Sequence, residues 1–434
     1  MRAYQIAVAG TGYVGIITGT CMAHVGHQVT CVDVDAQKVA SMNAGIAPIY
    51  EDGLQALMQE NLAAGRLTCT TDAQAAYRNA DVIFICVGTP EKPDGSADLT
   101  YIATVARQVA ESVEKDCVIV VKSTVPVGTN DKVEQFIRDF LARDVRVEVA
   151  SNPEFLAQGS AVHDMLHAAR IIIGTACDWA RETLADIYAP FGIPTVFMGR
   201  ESAEMTKYAA NNFLALKLSF INEIANLCEL IGADISEVTR GMSFDDRIGA
   251  RFLNAGVGYG GSCFPKDTKA LALLAKQCGY DLKTVNAAID VNKAQKLRLF
   301  DKACERVISF HGLKTAVLGA TFKPETDDLR EAPAMETIEK LLAHGAEIIV
   351  YDPVGLDNLK KIYGDKLAYA GSPEDALKGA ALAFVFTEWP QIRALAPETF
   401  KKQMRTAIVY DGRNLYDPAA MAQAGVKYES IGRG

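Results

Sequence analysis

A cysteine follows the densest run of glycines in the chain, Gly256-Val257-Gly258-Tyr259-Gly260-Gly261-Ser262-Cys263-Phe264-Pro265-Lys266-Asp267. Four glycines in six residues carry a backbone-entropy cost unless positive φ or close approach is needed there. A thiol just after such a loop, at a helix N-terminus, is stabilised as the thiolate, and the thiolate is the nucleophile. Asp267 lies four residues on, so a helix puts it on the face of Cys263. Upstream, Lys207 and Asn211 stand at i and i+4, a spacing that aims an ammonium and an amide at one point. Such donors act where negative charge develops on oxygen. In Ser151-Asn152-Pro153-Glu154-Phe155 a carboxylate ends a strand-like run. Taken singly, Lys207 or Glu154 would serve as well in a surface salt bridge, and Cys263 as one more buried thiol. The glycine loop and the adjacent Lys-Asp pair favour chemistry.

The elements that must position these groups begin at the N-terminus. Tyr4–Ala9 reads as a buried parallel strand, followed by Gly10-Thr11-Gly12-Tyr13-Val14-Gly15, a helical stretch over Ile16–Val25, and a second strand, Gln28–Val32, ending on Asp33. In this order the glycines give a tight turn, close approach of backbone to a pyrophosphate, and close helix–strand packing. The helix N-terminus offers N–H groups and a positive dipole end to the phosphates. Asp33 is placed to accept from the adenosine ribose hydroxyls and would repel a 2′-phosphate, which favours NAD over NADP. Lys38 points the other way or neutralises the pyrophosphate. The alternation continues through Asp81–Val87, Cys117–Lys122 and Val145–Ala150. Ligands bind beyond the carboxyl ends of such strands, so Thr89, Ser123 and Thr124 fall where cofactor or substrate would lie; a turn or cap hydroxyl is the plainer role for each.

A second unit repeats strand, helix, strand, acid: Lys314–Gly319, then Gly345–Tyr351 and Asp352, with further strands at Ala381–Thr387 and Ala407–Tyr410. Its turn, Gly319-Ala320-Thr321-Phe322-Lys323-Pro324, is no dinucleotide fingerprint. It is expected to hold another nucleotide, with Lys323, Arg330 and Arg413 as its cations. From about Ala203 to Phe310 helical periodicity prevails. Met205, Tyr208, Phe213, Leu216 and Phe220 recur at helical spacing, as core residues would. A long helix there would join two domains, and its large apolar face suggests a homodimer. The expected architecture is α/β: two Rossmann-like doubly wound domains, 1–202 and 311–434, joined by a long central helix in a helical middle domain, 203–310.

Composition sets the outer limits. A chain of 434 residues is too long for one core. A net charge of −9 argues against a nucleic-acid partner, which needs a basic face, but a few placed cations can still hold a diphosphate. Ten cysteines without regular spacing read as reduced thiols rather than a disulfide framework or a metal site. No run reads as an export signal or a membrane span, and a cytoplasmic chain is expected.

With these motifs in place the sequence resembles the UDP-glucose/GDP-mannose dehydrogenase family, in its UDP-glucose branch, over essentially the whole chain. The resemblance rests on Gly10-Thr11-Gly12-Tyr13-Val14-Gly15, Lys122-Ser123-Thr124-Val125-Pro126-Val127, Asn152-Pro153-Glu154-Phe155-Leu156, Gly260-Gly261-Ser262-Cys263-Phe264-Pro265-Lys266-Asp267 and Phe322-Lys323-Pro324. It implies oxidation of an alcohol to a carboxylate with Cys263 as nucleophile. Lys207 and Asn211 would stabilise oxyanions, Asp267 would take part in proton transfer, and Glu154 with Thr124 would serve thioester hydrolysis. NAD would be bound by Gly10, Gly12, Tyr13, Val14, Gly15, Asp33, Lys38, Thr89, Ser123, Thr124 and Arg330, with Glu154, Cys263 and Lys266 beside it. The UDP-sugar would meet Glu154, Phe155, Leu156, Lys207, Asn211, Phe252, Asn254, Gly256, Tyr259, Gly260, Cys263, Phe264, Lys323 and Arg413, with Arg247 reaching a neighbouring subunit's site. No metal is implied. Many relatives carry Arg-Glu after Asn-Pro-Glu-Phe-Leu; Ala157-Gln158 stand here, which leaves Gln158 at most a hydrogen-bonding role.

Four other readings compete. A GDP-mannose enzyme would favour leucine after the cysteine, where Phe264 stands, and the N-acetylhexosamine enzymes usually have histidine where Ser262 stands. A non-catalytic nucleotide sensor would need no nucleophile. A hydroxyacid dehydrogenase with twin domains transfers one hydride and needs no cysteine.

Overall fold

The computed structural model describes residues 2–433. It divides into two compact units, one up to Ala210 and one from Asn211.

The first unit is built on eight strands: β1 (Gln5–Ala9), β2 (Gln28–Val32), β3 (Leu67–Thr70), β4 (Val82–Ile85), β5 (Cys117–Val121), β6 (Val147–Ser151), β7 (Ile171–Gly174) and β8 (Thr195–Met198). They lie in the order β3-β2-β1-β4-β5-β6-β7-β8. All neighbours are parallel except β6 and β7, which meet antiparallel at Ser151 and Gly174. Alternation along β1 explains the two-sided core. Ile6 and Val8 pack with Ile16, Ile17 and Met22 on one face; Ala7 and Ala9 pack with Ile102, Val109 and Ile137 on the other. The strand order reverses between β1 and β4, and the Gly10 turn leaves the carboxyl end of β1 at that point. A crevice for a ligand follows from this topology.

The second unit opens with helices and closes with a six-stranded, all-parallel sheet: β9 (Lys314–Leu318), β10 (Glu347–Tyr351), β11 (Ala368–Tyr369), β12 (Leu382–Val385), β13 (Ile408–Asp411) and β14 (Lys427–Glu429), ordered β11-β10-β9-β12-β13-β14. Every strand expected from the sequence forms within two residues of its expected bounds. No helix among the described residues is long and apolar enough to cross a membrane. All ten cysteines are free.

One expectation is overturned. Met205, Phe213 and Phe220, read as core, are 38%, 62% and 48% exposed; of that set only Tyr208 is fully buried. The helix Arg200–Ile231 instead buries a small and polar face, with Ala203, Lys207, Tyr208, Asn211, Asn212, Ala215, Ser219 and Asn222 inside. Periodicity finds a stripe, but it does not say which stripe faces in. Here the large apolar stripe, continued by Leu227, Leu230 and Ile231, faces out.

Candidate active site

In the first unit the helix Tyr13–His24 starts from Gly12 without a side-chain cap, so its first N–H groups are left for a ligand. Its close seating on the sheet demands Gly15: a Cβ there would lie 1.9 Å from the Gly10 carbonyl oxygen. At the end of β2, Asp33 accepts from the Thr11 hydroxyl, from Thr11 N–H at 3.2 Å and from Asp35 N–H at 3.1 Å. Lys38 Nζ donates to it at 2.8 Å, so this lysine is spent on Asp33. Burial pushes the carboxyl up, but Lys38 and Thr11 more than offset this and hold it at about 2. The site therefore keeps a permanent anion at the expected ribose position. Thr89 Oγ1 donates to the Thr124 carbonyl at 2.9 Å and Ser123 Oγ to the Val87 carbonyl at 2.6 Å; both hydroxyls tie the loops beyond β4 and β5 together. Tyr13 shares the Glu51 carboxylate with Gly159 N–H (2.7 Å) and Ala161 N–H (2.6 Å), which fastens the dinucleotide turn to the loop after Leu156.

Beyond β6, Glu154 is buried and meets Lys207 Nζ at 2.9 Å, with side-chain exposures of 6% and 3%. Leu156 N–H donates to the other carboxylate oxygen at 2.6 Å. Burial pushes this carboxyl up, and the Lys207 ammonium outweighs burial, leaving it below the usual carboxylate range. Neither residue is a surface charge. The Phe155 ring carries the Arg170 guanidinium 3.6 Å from its centroid and the Lys207 ammonium at 5.4 Å, a cation–π stack on each count.

In the second unit Cys263 is half-buried and caps the helix Phe264–Gln277, as expected of a dipole-stabilised thiol. Asp267 is 1% exposed; it accepts from Asn211 Nδ2 at 2.6 Å and from Lys266 Nζ at 2.6 Å. Asn211 thus holds a carboxylate. The glycine loop is close-packed: a Cβ on Gly260 would lie 2.4 Å from the Glu331 carbonyl oxygen. Three side-chain amides latch it. Asn222 accepts from Gly256 N–H (2.8 Å), Gln295 donates to the Gly256 carbonyl (2.7 Å), and Asn292 bonds both backbone groups of Tyr259. Phe252 and Tyr259 flank Phe264 with ring centroids 6.2 and 5.8 Å away.

Arg330 is forked onto Asp328 at 2.8 and 2.7 Å, which raises its guanidinium pKa further. Arg413 donates to the carbonyls of Phe386 (2.7 Å) and Phe322 (3.0 Å). Lys323 lies against the Phe322 ring at 5.8 Å, and Arg247 is 89% exposed, paired only locally with Asp245. A cavity of about 480 Å³ is lined by Asn254, Arg413, Arg240, Arg393, Arg433 and Glu388, among others. Its arginines suit a phosphorylated ligand.

The sequence pattern is matched by the UDP-glucose/GDP-mannose dehydrogenase family in all three of its parts: the NAD binding domain over residues 4–192, the central domain over 201–294 and the UDP binding domain over 316–418. The chain belongs to this family. It is 46% identical to the UDP-glucose 6-dehydrogenase YwqF of Bacillus subtilis over 429 residues, 99% of this chain and 98% of that one. The UDP-glucose 6-dehydrogenase of Pseudomonas aeruginosa is also 46% identical, over 99% and 97% of the two chains. Among solved structures, a UDP-glucose dehydrogenase from Pyrobaculum islandicum superposes with a TM-score of 0.94 at 36% identity, covering 100% of this chain and 98% of that one. The family's dinucleotide is NAD, and the first unit fits it: an uncapped helix N-terminus, a glycine cradle and an ionised Asp33 stand together.

Sequence reasoning missed Glu51, Arg170, Asn222, Asn292, Gln295 and three of the cavity arginines, Arg240, Arg393 and Arg433, while it found the fourth, Arg413. Glu51, Asn222, Asn292 and Gln295 sit in no glycine or proline motif, and each reaches its partner from a distant part of the chain. Only a structure reveals them.

Proposed function

We propose that this chain oxidises C6 of UDP-glucose to the carboxylate of UDP-glucuronate through a thiohemiacetal and a thioester on Cys263. That it is an NAD-dependent oxidoreductase acting on UDP-glucose follows from its family and from full-length relatives at 40–46% identity. The observation that carries the covalent route is Cys263 itself: half-buried and seated at a helix N-terminus behind a latched glycine loop, where most of the other cysteines are buried in the cores.

NAD, held by the glycine turn and Asp33, would supply the hydride acceptor for each oxidation. The chain's own residues do the rest. Lys207 and Asn211 lie one turn apart on a continuous helix and donate to oxygen as negative charge develops there. Asp267, held by Asn211 and Lys266, takes part in proton transfer. The Cys263 thiolate attacks the aldehyde carbon, so the half-oxidised sugar stays tethered for the second transfer. Glu154, kept ionised by Lys207, activates the water that cleaves the thioester, with Thr124 positioning that water. Gly10, Gly12, Gly15 and Asp33 are assigned to the dinucleotide, as are Thr89, Ser123 and Arg330. Phe155, Leu156, Phe252, Tyr259 and Phe264 are assigned to the sugar. Lys323, Arg413 and Asn254 serve the nucleotide end, for which the arginine-lined cavity is the candidate. The outward stripe of Phe213, Phe220, Leu227 and Ile231 supports a homodimer in which Arg247 reaches the neighbouring subunit's site. The cytoplasm, where thiols stay reduced, suits ten free cysteines.

The test counts NADH formed per limiting UDP-glucose, with GDP-mannose beside it. Two hydrides per sugar, and none from GDP-mannose, are expected. One NADH per sugar means the aldehyde escapes and the covalent role of Cys263 is wrong. Cys263→Ser should abolish acid formation while NAD affinity stays within about threefold.

A further inference from the structure

We propose that Lys122 is a positioning residue for this reaction: by donating to Asn152 it fixes the Asn152–Phe155 turn and so aims the Glu154 carboxylate. Lys122 follows β5 directly and is 3% exposed. Its Nζ lies 3.1 Å from Asn152 Oδ1, and this is the one hydrogen-bond acceptor of its three N–H groups among the described residues. A buried ammonium with a single hydrogen bond is costly. An apolar side chain of the same length would serve packing better, so packing does not account for a lysine here.

What the lysine gains is hold over Asn152. Asn152 Oδ1 accepts from both Lys122 Nζ and the Tyr188 hydroxyl, its Nδ2 donates to the Ile172 carbonyl at 2.8 Å, and its backbone N–H donates to the Val121 carbonyl at 2.9 Å. Its side-chain oxygen, its side-chain amide and its backbone N–H are therefore all engaged, and Glu154 stands two residues further on. The groups facing Lys122 come from every surrounding element: Cys21 from the helix Tyr13–His24, Cys86 from beyond β4, Tyr188 from the helix Asp178–Tyr188, Lys207 from the long helix, and Glu154 itself. Glu154 in turn faces Lys207, the Leu156 N–H and Lys122. Burial pushes the ammonium down and outweighs the upward push of Cys86 and Glu154, so its pKa lies below the ordinary lysine value. Its charge adds to that of Lys207 in keeping Glu154 ionised.

The inference rests on the hydrolytic role given to Glu154, and the experiment separates the two. Wild type, K122M and E154Q are compared as full-length enzyme for kcat, KM and melting temperature across about pH 3 to 9, a window that reaches below the ordinary carboxylate range where the Glu154 limb falls. For K122M we expect an unchanged or higher melting temperature, KM values within about threefold, a kcat lower by about tenfold, and an acid limb moved to higher pH. A purely structural lysine would move the melting temperature and leave the limb in place, which overturns the proposal. If K122M does not fold, K122Q, which retains an amide donor without the charge, reads the same limb. E154Q should lose the limb. If E154Q keeps it, the Glu154 role falls and the Lys122 role with it; if E154Q loses it while K122M keeps it, Lys122 alone is overturned.

Discussion

The two Rossmann-like units place an aspartate at the same point of the fold, the end of the second strand of the sheet, and use it in opposite ways. Asp33, after β2, has a 13% exposed side chain and accepts from the Thr11, Asp35 and Lys38 donors. Asp352, after β10, is 1% exposed. It accepts from the backbone N–H groups of Ala320, Thr321, Val354 and Gly355 and from Thr321 Oγ1 and Trp389 Nε1. One carboxylate is left partly open to a ligand; the other is consumed in closing its own turn. The difference teaches that strand-end position creates an opportunity, and that the neighbouring turn decides who takes it. Where four backbone N–H groups and an indole converge on the carboxylate, as at Asp352, the acid becomes structural; Asp33 takes only two backbone N–H groups and keeps an open side.

The largest effect should come from Asp352→Ala. It strips four backbone N–H groups, three of them buried, of their acceptor, and a loss of about 3–5 kcal/mol in denaturant unfolding of the second unit is expected. Asp33→Ala should cost at most about 1 kcal/mol of stability yet weaken NADH binding about 10- to 100-fold, read by fluorescence titration. If the two variants exchanged these signatures, or showed the same one, the contrast drawn between the units would be broken.

Acid should sharpen the contrast by a smaller amount. His27 in the first unit is 1% exposed and bonds Tyr4 N–H and the Ile187 carbonyl, and burial holds its pKa below the ordinary value. The unfolded chain binds a proton at about pH 6.5 that the folded chain refuses. Stability is therefore full above that pH, falls as pH drops through it, and levels off below the folded pKa. Both histidines of the second unit are exposed. Thermal unfolding of the first unit should soften between about pH 7.5 and 5.5, and His27→Gln should remove that pH dependence.

Much of this was legible because buried parallel strands announce themselves. Ile6–Ala9 before Gly10, and Ala316–Leu318 before Gly319, are apolar runs stopped by a turn residue. Cys263 was legible because four glycines ahead of it have no cheap structural reason. Which way the long helix faced was not, because Phe213 and Phe220 have the spacing of a core stripe whether they look inward or outward. The fate of Asp352 was hidden too, since it depends on Trp389, 37 residues away. The short edge strands β11 and β14 lack any run long enough to declare them. The Glu154–Lys207 pair joins residues 53 apart, a distance that no local pattern spans.

The amide latches on the glycine loop have a thermodynamic corollary. Four glycines would normally give a segment with wide conformational freedom, to be surrendered when a ligand arrives. Asn222, Asn292 and Gln295 take that freedom away at folding instead, so the ordering of the loop is subtracted from chain stability rather than from substrate affinity. The nucleophile's surroundings are thus already in place at the first encounter.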